Sequence, residues 1–231
     1  MPLVLRPIHP QDTLSWMRIR TLAYAGPTHA VIHTSPISDS SLHAIAQDRK
    51  RDLLKPHTWH FKIVDTDLPP GPEDPPDTGG RIITISVWSL HNVEDEGSHA
   101  GSVETNEKPD FVPPEIRLDA LQSLLTPLRA AQKEIMGTQT PYLMLNSLAT
   151  HPEHRGRGAA GMMLDWGLGE ADGRGLEMYL DATGMARPIY ERRGFAVVRE
   201  VEWERGRWGG VGCDRHFCMV RGFVEEGGEG V

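Results

Sequence analysis

The residues best suited to chemistry lie within 145–161, where an apolar strand, a turn rich in glycine and arginine, and a helix that begins with small residues follow one another. A helix N-terminus attracts anions because its first N–H groups are unpaired and carry a partial positive charge. Small side chains let a phosphate reach this backbone, and the arginines add positive charge. The segment therefore predicts a pyrophosphate-binding turn that comprises Arg155, Gly156, Arg157, Gly158, Ala159 and Ala160.

The spacing of the turn bears on three other interpretations. It is not the mononucleotide P-loop, because no Lys-Ser or Lys-Thr follows the second glycine. The spacing Gly156-x-Gly158-x-x-Gly161 satisfies the letters of the dinucleotide fingerprint, but it occurs late in the chain and outside a clear βαβ unit. A glycine-rich turn whose arginines are only solvated, and which binds nothing, is the remaining alternative.

Two motifs in this part of the chain resemble those of a known family. The pattern Leu-x-x-Leu-x-Thr-x-Pro at 145–152, followed by Arg-x-x-Gly-x-Ala at 155–160, resembles the acetyl-CoA motif of the GNAT acetyltransferase superfamily. Further on, Pro-Ile-Tyr-Glu-Arg-Arg-Gly-Phe at 188–195 resembles that family's second signature. The resemblance is strong over 142–198, and the long insertions look like those of fungal-type members. Over the N-terminal half it rests on the order of the elements.

The resemblance implies an α/β (α+β) fold, the GNAT acyl-CoA N-acyltransferase fold, with a mixed central sheet of about six or seven strands flanked by helices. It implies an enzyme that moves an acetyl group from acetyl-CoA, its co-substrate, to a primary amine by direct attack in a ternary complex, without a metal. The turn would take the pyrophosphate. By match, the pantetheine arm and acetyl group would bind the backbone of Leu148, Ala149 and Thr150.

The same resemblance places Tyr190 where the family often has a general acid that protonates the departing CoA thiolate. A phenol of pKa about 10 is a reasonable proton source for a thiolate of similar basicity. The alternative for Tyr190 is an aromatic side chain that only packs beside Phe195. Two rival functions also stay open: a non-catalytic regulatory module of the same fold that binds acetyl-CoA or CoA, and a nucleotide-binding α/β domain.

The group that would accept a proton from the substrate amine is not evident in the sequence. Many family members have a glutamate in the strand where this chain offers Asn146 and Ser147. His60, His91 and Asp181 are candidates by residue type alone, and a histidine at a strand end is more often structural.

The acceptor is expected to be a small-molecule or peptide amine. Its pocket should lie between the first helices, the strand that ends at His91, and a C-terminal hairpin that carries Trp203 and Trp208. These indole rings could equally pack into the core or the hairpin.

Hydrophobic periodicity and turn residues predict the elements that position this site. Strands are expected at 3–5, 59–64, 81–90, 142–150, 176–180, 195–202 and 213–221. Helices are expected at 10–24, from 38 or 40 to 55, at 115–136 with a possible break at Pro127, at 158–171 and at 185–193.

Charge is distributed unevenly along the 231 residues, whose formal net charge is −8. The segments 66–80, 92–114 and 224–231 are acidic and rich in proline, glycine or both, which predicts two exposed, mobile insertions and a flexible tail. A single N-acetyltransferase domain, 1–223, is expected around them. The acidity argues against nucleic acid as a partner, and the chain shows no apolar run long enough for a membrane span.

Cys213 and Cys218 are five residues apart, so a strand places their side chains on opposite faces and a disulfide between them is not expected. With His216 between them they could supply half of a metal site, but the sequence offers no other half. Reduced thiols and the absence of a secretory leader predict a cytoplasmic protein. Either a monomer or a homodimer is expected.

Overall fold

The backbone of residues 2–93 and 111–224, which a computed structural model describes, forms seven β-strands and six α-helices. In chain order these are β1 (Leu3–Pro7), α1 (Thr13–Ala23), α2 (Pro27–Ile32), α3 (Asp39–Asp52), β2 (Thr58–Asp65), β3 (Arg81–His91), α4 (Leu118–Met136), β4 (Tyr142–Thr150), α5 (Ala159–Gly173), β5 (Glu177–Thr183), α6 (Arg187–Glu191), β6 (Ala196–Glu204) and β7 (Cys213–Arg221). Short 3-10 turns lie at Pro10–Asp12, Pro152–His154 and Arg205–Trp208.

The strands form one sheet in the order β1-β2-β3-β4-β5-β7-β6. Neighbouring strands are antiparallel except β4 and β5, which are parallel. Along β5, Tyr179 packs with α4 and Leu180 packs with α5, so these helices cover opposite faces of the sheet. The predicted mixed sheet of six or seven strands flanked by helices is confirmed.

The N-terminal part of the chain contains one helix that the prediction lacks. The sequence Gly26-Pro27 was expected only to end the first helix, but Pro27 also opens the short helix α2 as its first residue. Proline suits this position because its missing N–H would have no partner there. Ser38 caps α3, as the sequence suggested, by accepting a hydrogen bond from the amide of Ser41.

The long helix α4 begins later than predicted and does not break. Glu115 lies before α4, and its carboxylate accepts hydrogen bonds from the Ser38 amide and the Ser41 hydroxyl at the start of α3. The possible break at Pro127 is absent, since the helix continues through it from Leu118 to Met136. No helix among the residues described has both the length and the apolar character needed to span a membrane.

An ion pair and a hydrogen bond connect the acidic loop 66–80 to the rest of the protein. Glu73 pairs with Arg18 of α1 at 3.0 Å, and the Asp74 carboxylate accepts a hydrogen bond from the Ile82 amide at 3.1 Å. Thr78 is buried, so the prediction of a wholly exposed loop is wrong there. Most of 92–114 and of the tail 224–231 lies outside the described residues, and the mobility of these segments and the single domain 1–223 stay predictions.

Two glycines of α5 test how tightly this helix packs on the sheet. A Cβ atom on Gly167 would lie 2.3 Å from Cη2 of the fully buried Trp88 ring, whereas one on Gly169 would meet no atom within 4 Å. We expect Gly167→Ala to lower the free energy of unfolding by about 1–3 kcal/mol through overpacking. Gly169→Ala, the matched control, should raise it by up to about 1 kcal/mol through helix propensity. Urea denaturation of both variants measures the difference, and equal values would contradict this packing.

Candidate functional site

A gap in the sheet lies between β4 and β5. Their pairing ends at Leu145 and Leu180, although β4 continues along β3 to Thr150 and β5 continues along β7 to Thr183. At the same point β4 contains an extra residue, Asn146, which has no partner on β3. Such a bulge bends a strand, so it accounts for the divergence of β4 from β5.

The gap leaves backbone groups of β4 without a strand partner. The His151 amide donates to the Ile83 carbonyl of β3 at 2.8 Å. Because successive residues of a strand alternate sides, the amides of Leu148 and Thr150 point the other way, into the gap. These N–H groups are free to donate to a ligand there.

The predicted anion-binding turn leads directly from β4 into α5. Gly156 and Gly158 have φ angles of +76° and +84°, which glycine adopts without strain. Gly158 is the N-cap of α5, so the unpaired amides of the first helical turn follow it. A Cβ atom on either glycine would meet no atom within 4 Å, so the space in front of this turn is open.

The two arginines of the turn are held by the N-terminal half of the chain. Arg155 donates to the Ala23 carbonyl at the end of α1 at 3.0 Å. Arg157 pairs with Asp65, which lies at the end of β2 and is fully buried. Burial raises the pKa of Asp65, but hydrogen bonds from Arg157 and the Asp67 amide outweigh this effect and lower it. The charge of Arg157 is therefore already paired.

A cavity of about 820 Å³ occupies the gap and brings together every position that the sequence singled out for the cofactor and the general acid. Its lining includes Leu148, Ala149, Thr150, Arg155, Gly156, Arg157, Gly158, Ala159, Ala160 and Tyr190. The turn between α1 and α2 and the first residues of β7 close the other side.

Tyr190 reaches this cavity from α6. Its ring is 6% exposed and packs edge-on against Phe195 at 6.0 Å, so the packing contact expected as an alternative exists. Its hydroxyl donates to none of the residues described. Burial, and to a lesser extent Tyr24, raises the pKa of Tyr190 above its ordinary value. The phenol therefore keeps its proton at neutral pH.

None of the three bases proposed by residue type lines the cavity. The ring of His60 packs against Trp16 at 5.1 Å, and that of His91 stacks on Tyr142 at 5.0 Å at the far end of β3. Asp181 accepts a hydrogen bond from the Tyr179 hydroxyl at 2.7 Å. The predicted candidates are therefore held by other contacts.

The polar residues of β4 are held by hydrogen bonds, and the two aromatics considered for the acceptor pocket pack into the core. Ser147 shares a hydrogen bond of 2.9 Å with Tyr24, and Asn146 donates to Ser89. Trp203 is buried in the α4 side of the core, where its indole N–H donates to Ser123, and it does not line the cavity. Trp208 packs beside the same cluster, so the core interpretation of both rings is the one that the structure supports.

His216 also lines the cavity. The sequence pattern suggested this residue only as part of a metal site. It lies on β7 opposite Thr183, where the gap opens. Cys213, which lies at the edge of the cavity, is exposed, while Cys218 is buried, and both are free thiols. The alternation of side chains along β7 predicts which face of the strand His216 lies on. That His216 borders the gap follows only from the pairing of β7 with β5.

Within the described ranges, one group of residues could hold a metal ion. Ligand atoms of His151, Glu153 and His154 lie within 4.8 Å of one another beside the turn. However, Arg157 contacts His154 at 3.2 Å. Burial lowers the pKa of His154, and the positive charges of Arg157 and Arg81 lower it further. Nearby cations would repel a metal, so these residues fit one poorly.

Comparison with known proteins gives this geometry its context. Residues 126–198 match the sequence model of the family Acetyltransferase (GNAT) domain. Among solved structures, the chain is similar to arylalkylamine N-acetyltransferase 2 from Aedes aegypti, with 14% identity, a TM-score of 0.60, and 97% of this chain and 100% of that chain covered.

Two further structures extend the comparison. Polyamine N-acetyltransferase of Drosophila melanogaster is 13% identical, with a TM-score of 0.58 and 96% and 100% of the two chains covered. Arabidopsis thaliana NAA60 in complex with acetyl-CoA is 13% identical, with a TM-score of 0.54 and 95% and 98% covered. The fungal-type relationship stays a prediction. The seven-stranded mixed sheet flanked by helices matches the fold of the GNAT acetyltransferase structures.

Proposed function

We propose that this protein is an acetyl-CoA-dependent N-acetyltransferase that moves an acetyl group to a primary amine. The observation that carries the proposal is one cavity in the β4–β5 gap that joins free strand amides, an open helix N-terminus and a protonated phenol. Acetyl-CoA is expected as the co-substrate because the turn suits a pyrophosphate. The cytoplasmic location and the choice between monomer and homodimer stay predictions.

The residues of the cavity divide the proposed chemistry between them. The amides that follow Gly158 would hold the pyrophosphate at the start of α5. The Leu148 amide, which points into the gap, would donate to the thioester oxygen as negative charge develops on it. Tyr190 would give its proton to the CoA sulfur as the C–S bond breaks. Holding both substrates in one cavity would supply much of the acceleration by positioning.

The cavity also bears on the class of acceptor. Among the described residues of its lining, Asp214 is the single carboxylate, and its two oxygens already bond to Thr28 and Arg205. Arg155, Arg157 and Arg215 line the cavity too. This balance supports an amine that carries one positive charge, because a second cationic group would find no free carboxylate.

A test of the proposed function is the release of CoA thiol from acetyl-CoA over a panel of amines. The panel includes phenethylamine, agmatine, spermidine and a short peptide with a free N-terminus. Turnover of at least one amine is expected. Tight binding of acetyl-CoA without turnover of any would favour the non-catalytic module. A rise in melting temperature with NAD or ATP, and none with acetyl-CoA, would favour the nucleotide-binding domain.

Gly158→Glu should abolish acetyl-CoA binding, because a carboxylate would then enter the open space in front of α5. Gly175→Glu is the matched control: its φ of +63° is also positive and its Cβ would also meet no atom within 4 Å, but it does not line the cavity. Isothermal titration with acetyl-CoA should detect no binding to the first variant and unchanged affinity for the second. Equal affinity in both variants would refute the turn as the pyrophosphate site.

Tyr190→Phe should lower kcat by on the order of 10² while acetyl-CoA affinity stays nearly unchanged, because the ring remains and only the proton donor is lost. Tyr142→Phe, which removes a buried hydroxyl bonded to Gln132 outside the cavity, is the control and should keep its kcat. Steady-state kinetics and titration measure both quantities. A parallel loss of kcat and affinity would indicate that Tyr190 only packs.

Two amines of nearly the same shape test the acceptor class. We expect kcat/KM for 4-methylphenethylamine to exceed that for 4-(aminomethyl)phenethylamine at pH 7 by about tenfold or more. The second ammonium would enter an arginine-lined cavity without a carboxylate partner, and one missing charged hydrogen bond costs about 1.5–3 kcal/mol. Equal values, or a preference for the diamine, would contradict this reading of the lining.

A further inference from the structure

The wall of the cavity opposite the turn carries ionisable side chains on two paired strands. Thr183 of β5 lies opposite His216 of β7, and Asp181 lies opposite Cys218. Because side chains alternate along a strand, Asp214, His216 and Cys218 share one face of β7. Of these three, Asp214 and His216 line the cavity.

His216 has an unused hydrogen-bonding capacity at this wall. Its Nε2 atom is buried and has no partner among the described residues. Its other ring nitrogen also makes no hydrogen bond to a described residue. Buried polar atoms usually have a partner, so the unpaired Nε2 shows that no described residue holds this imidazole ring at the cavity that His216 lines.

The neighbouring groups do not occupy His216. Asp214 is bonded to Thr28 and Arg205, and Asp181 accepts from Tyr179. Burial lowers the pKa of His216, while the carboxylates of Asp214 and Asp181 oppose this effect. Other ionisable groups on this face of the neighbouring strands are Tyr179, Cys218 and Arg199, and Arg199 is paired with Glu134. Tyr24 and Tyr190 line the same cavity. Burial raises the pKa of Tyr179, Tyr190 and Cys218, so these three groups keep their protons near pH 7. His216 is therefore unprotonated at neutral pH.

We propose that His216 is the proton acceptor for the substrate amine, a catalytic residue that the sequence did not identify. The inference rests on the proposed acetyl transfer. It assigns the two proton transfers to different elements, with Tyr190 of α6 as the acid and His216 of β7 as the base.

The protons and electron pairs of this reaction balance. The substrate ammonium loses one proton to His216, which becomes imidazolium and returns the proton to solvent. The neutral amine attacks the thioester carbon, so an N–C bond forms and the C–S bond breaks. The sulfur leaves with the electron pair and takes the proton of Tyr190. The nitrogen, positively charged after attack, loses its remaining excess proton, which restores the phenol.

The test is the pH dependence of kcat/KM for wild type and His216→Gln, with the fastest amine of the panel. We expect a loss on the order of 10² at pH 7. The loss should shrink toward pH 10, because a growing fraction of the amine is then neutral without a base. His91→Gln, a histidine outside the cavity, is the control and should follow the wild-type profile.

A second variant separates chemistry from folding. His216→Ala should regain activity when free imidazole is added, while Tyr190→Phe should not. Thermal melting and acetyl-CoA titration of both His216 variants should match wild type, because the base acts on the acceptor and not on the cofactor.

The outcomes distinguish a failure of the His216 assignment from a failure of the proposed acetyl transfer. A constant ratio of wild type to His216→Gln across pH 6–10, together with no imidazole rescue, would overturn the assignment of His216 while leaving acetyl transfer intact. A wild type that binds acetyl-CoA but transfers to no amine would overturn the proposed function and the base with it.

Discussion

The arrangement of the site depends on one constraint, the end of hydrogen bonding between β4 and β5 after Leu145 and Leu180. A continuous ladder there would consume the amides of Leu148 and Thr150 and close the cavity. The sheet tolerates the gap because β3 still holds β4, and β7 still holds β5. Each strand thus keeps one paired edge, while its other edge is available to a ligand.

The gap also explains why residues far apart in sequence face the same cavity. It is bordered by β4 and the turn after it on one side, and by β5 and β7 on the other. The turn between α1 and α2, which includes Tyr24 and Thr28, closes it from the N-terminal half. The proposed acid on α6 and the proposed base on β7 can therefore act on the same substrate although they lie on different elements.

The sequence predicted the parts of this structure that are local. The predicted bounds of β4 are correct. The turn residues 155–160 are contiguous in sequence, so their common location at one cavity could be predicted. The sequence could not predict the position of His216, whose relation to the gap depends on the pairing of β7 with β5. The same reason applies to Trp203 and Trp208: their residue type suits either a pocket or a core, and only the packing of α4 and α2 decides between them.

The ion pair between Arg157 and Asp65 has a consequence for how this chain can be divided. The family match spans 126–198, yet the turn within it contacts elements outside this range. Arg157 pairs with Asp65 of β2, and Arg155 donates a hydrogen bond to Ala23 of α1. Without Arg157, Asp65 would be a buried charge with no ionic partner in the part of the chain that the structure describes, which is strongly destabilising. Conversely, a chimera that exchanges the N-terminal half for that of a related chain loses Asp65, and it needs an acid at the same position to pair with Arg157.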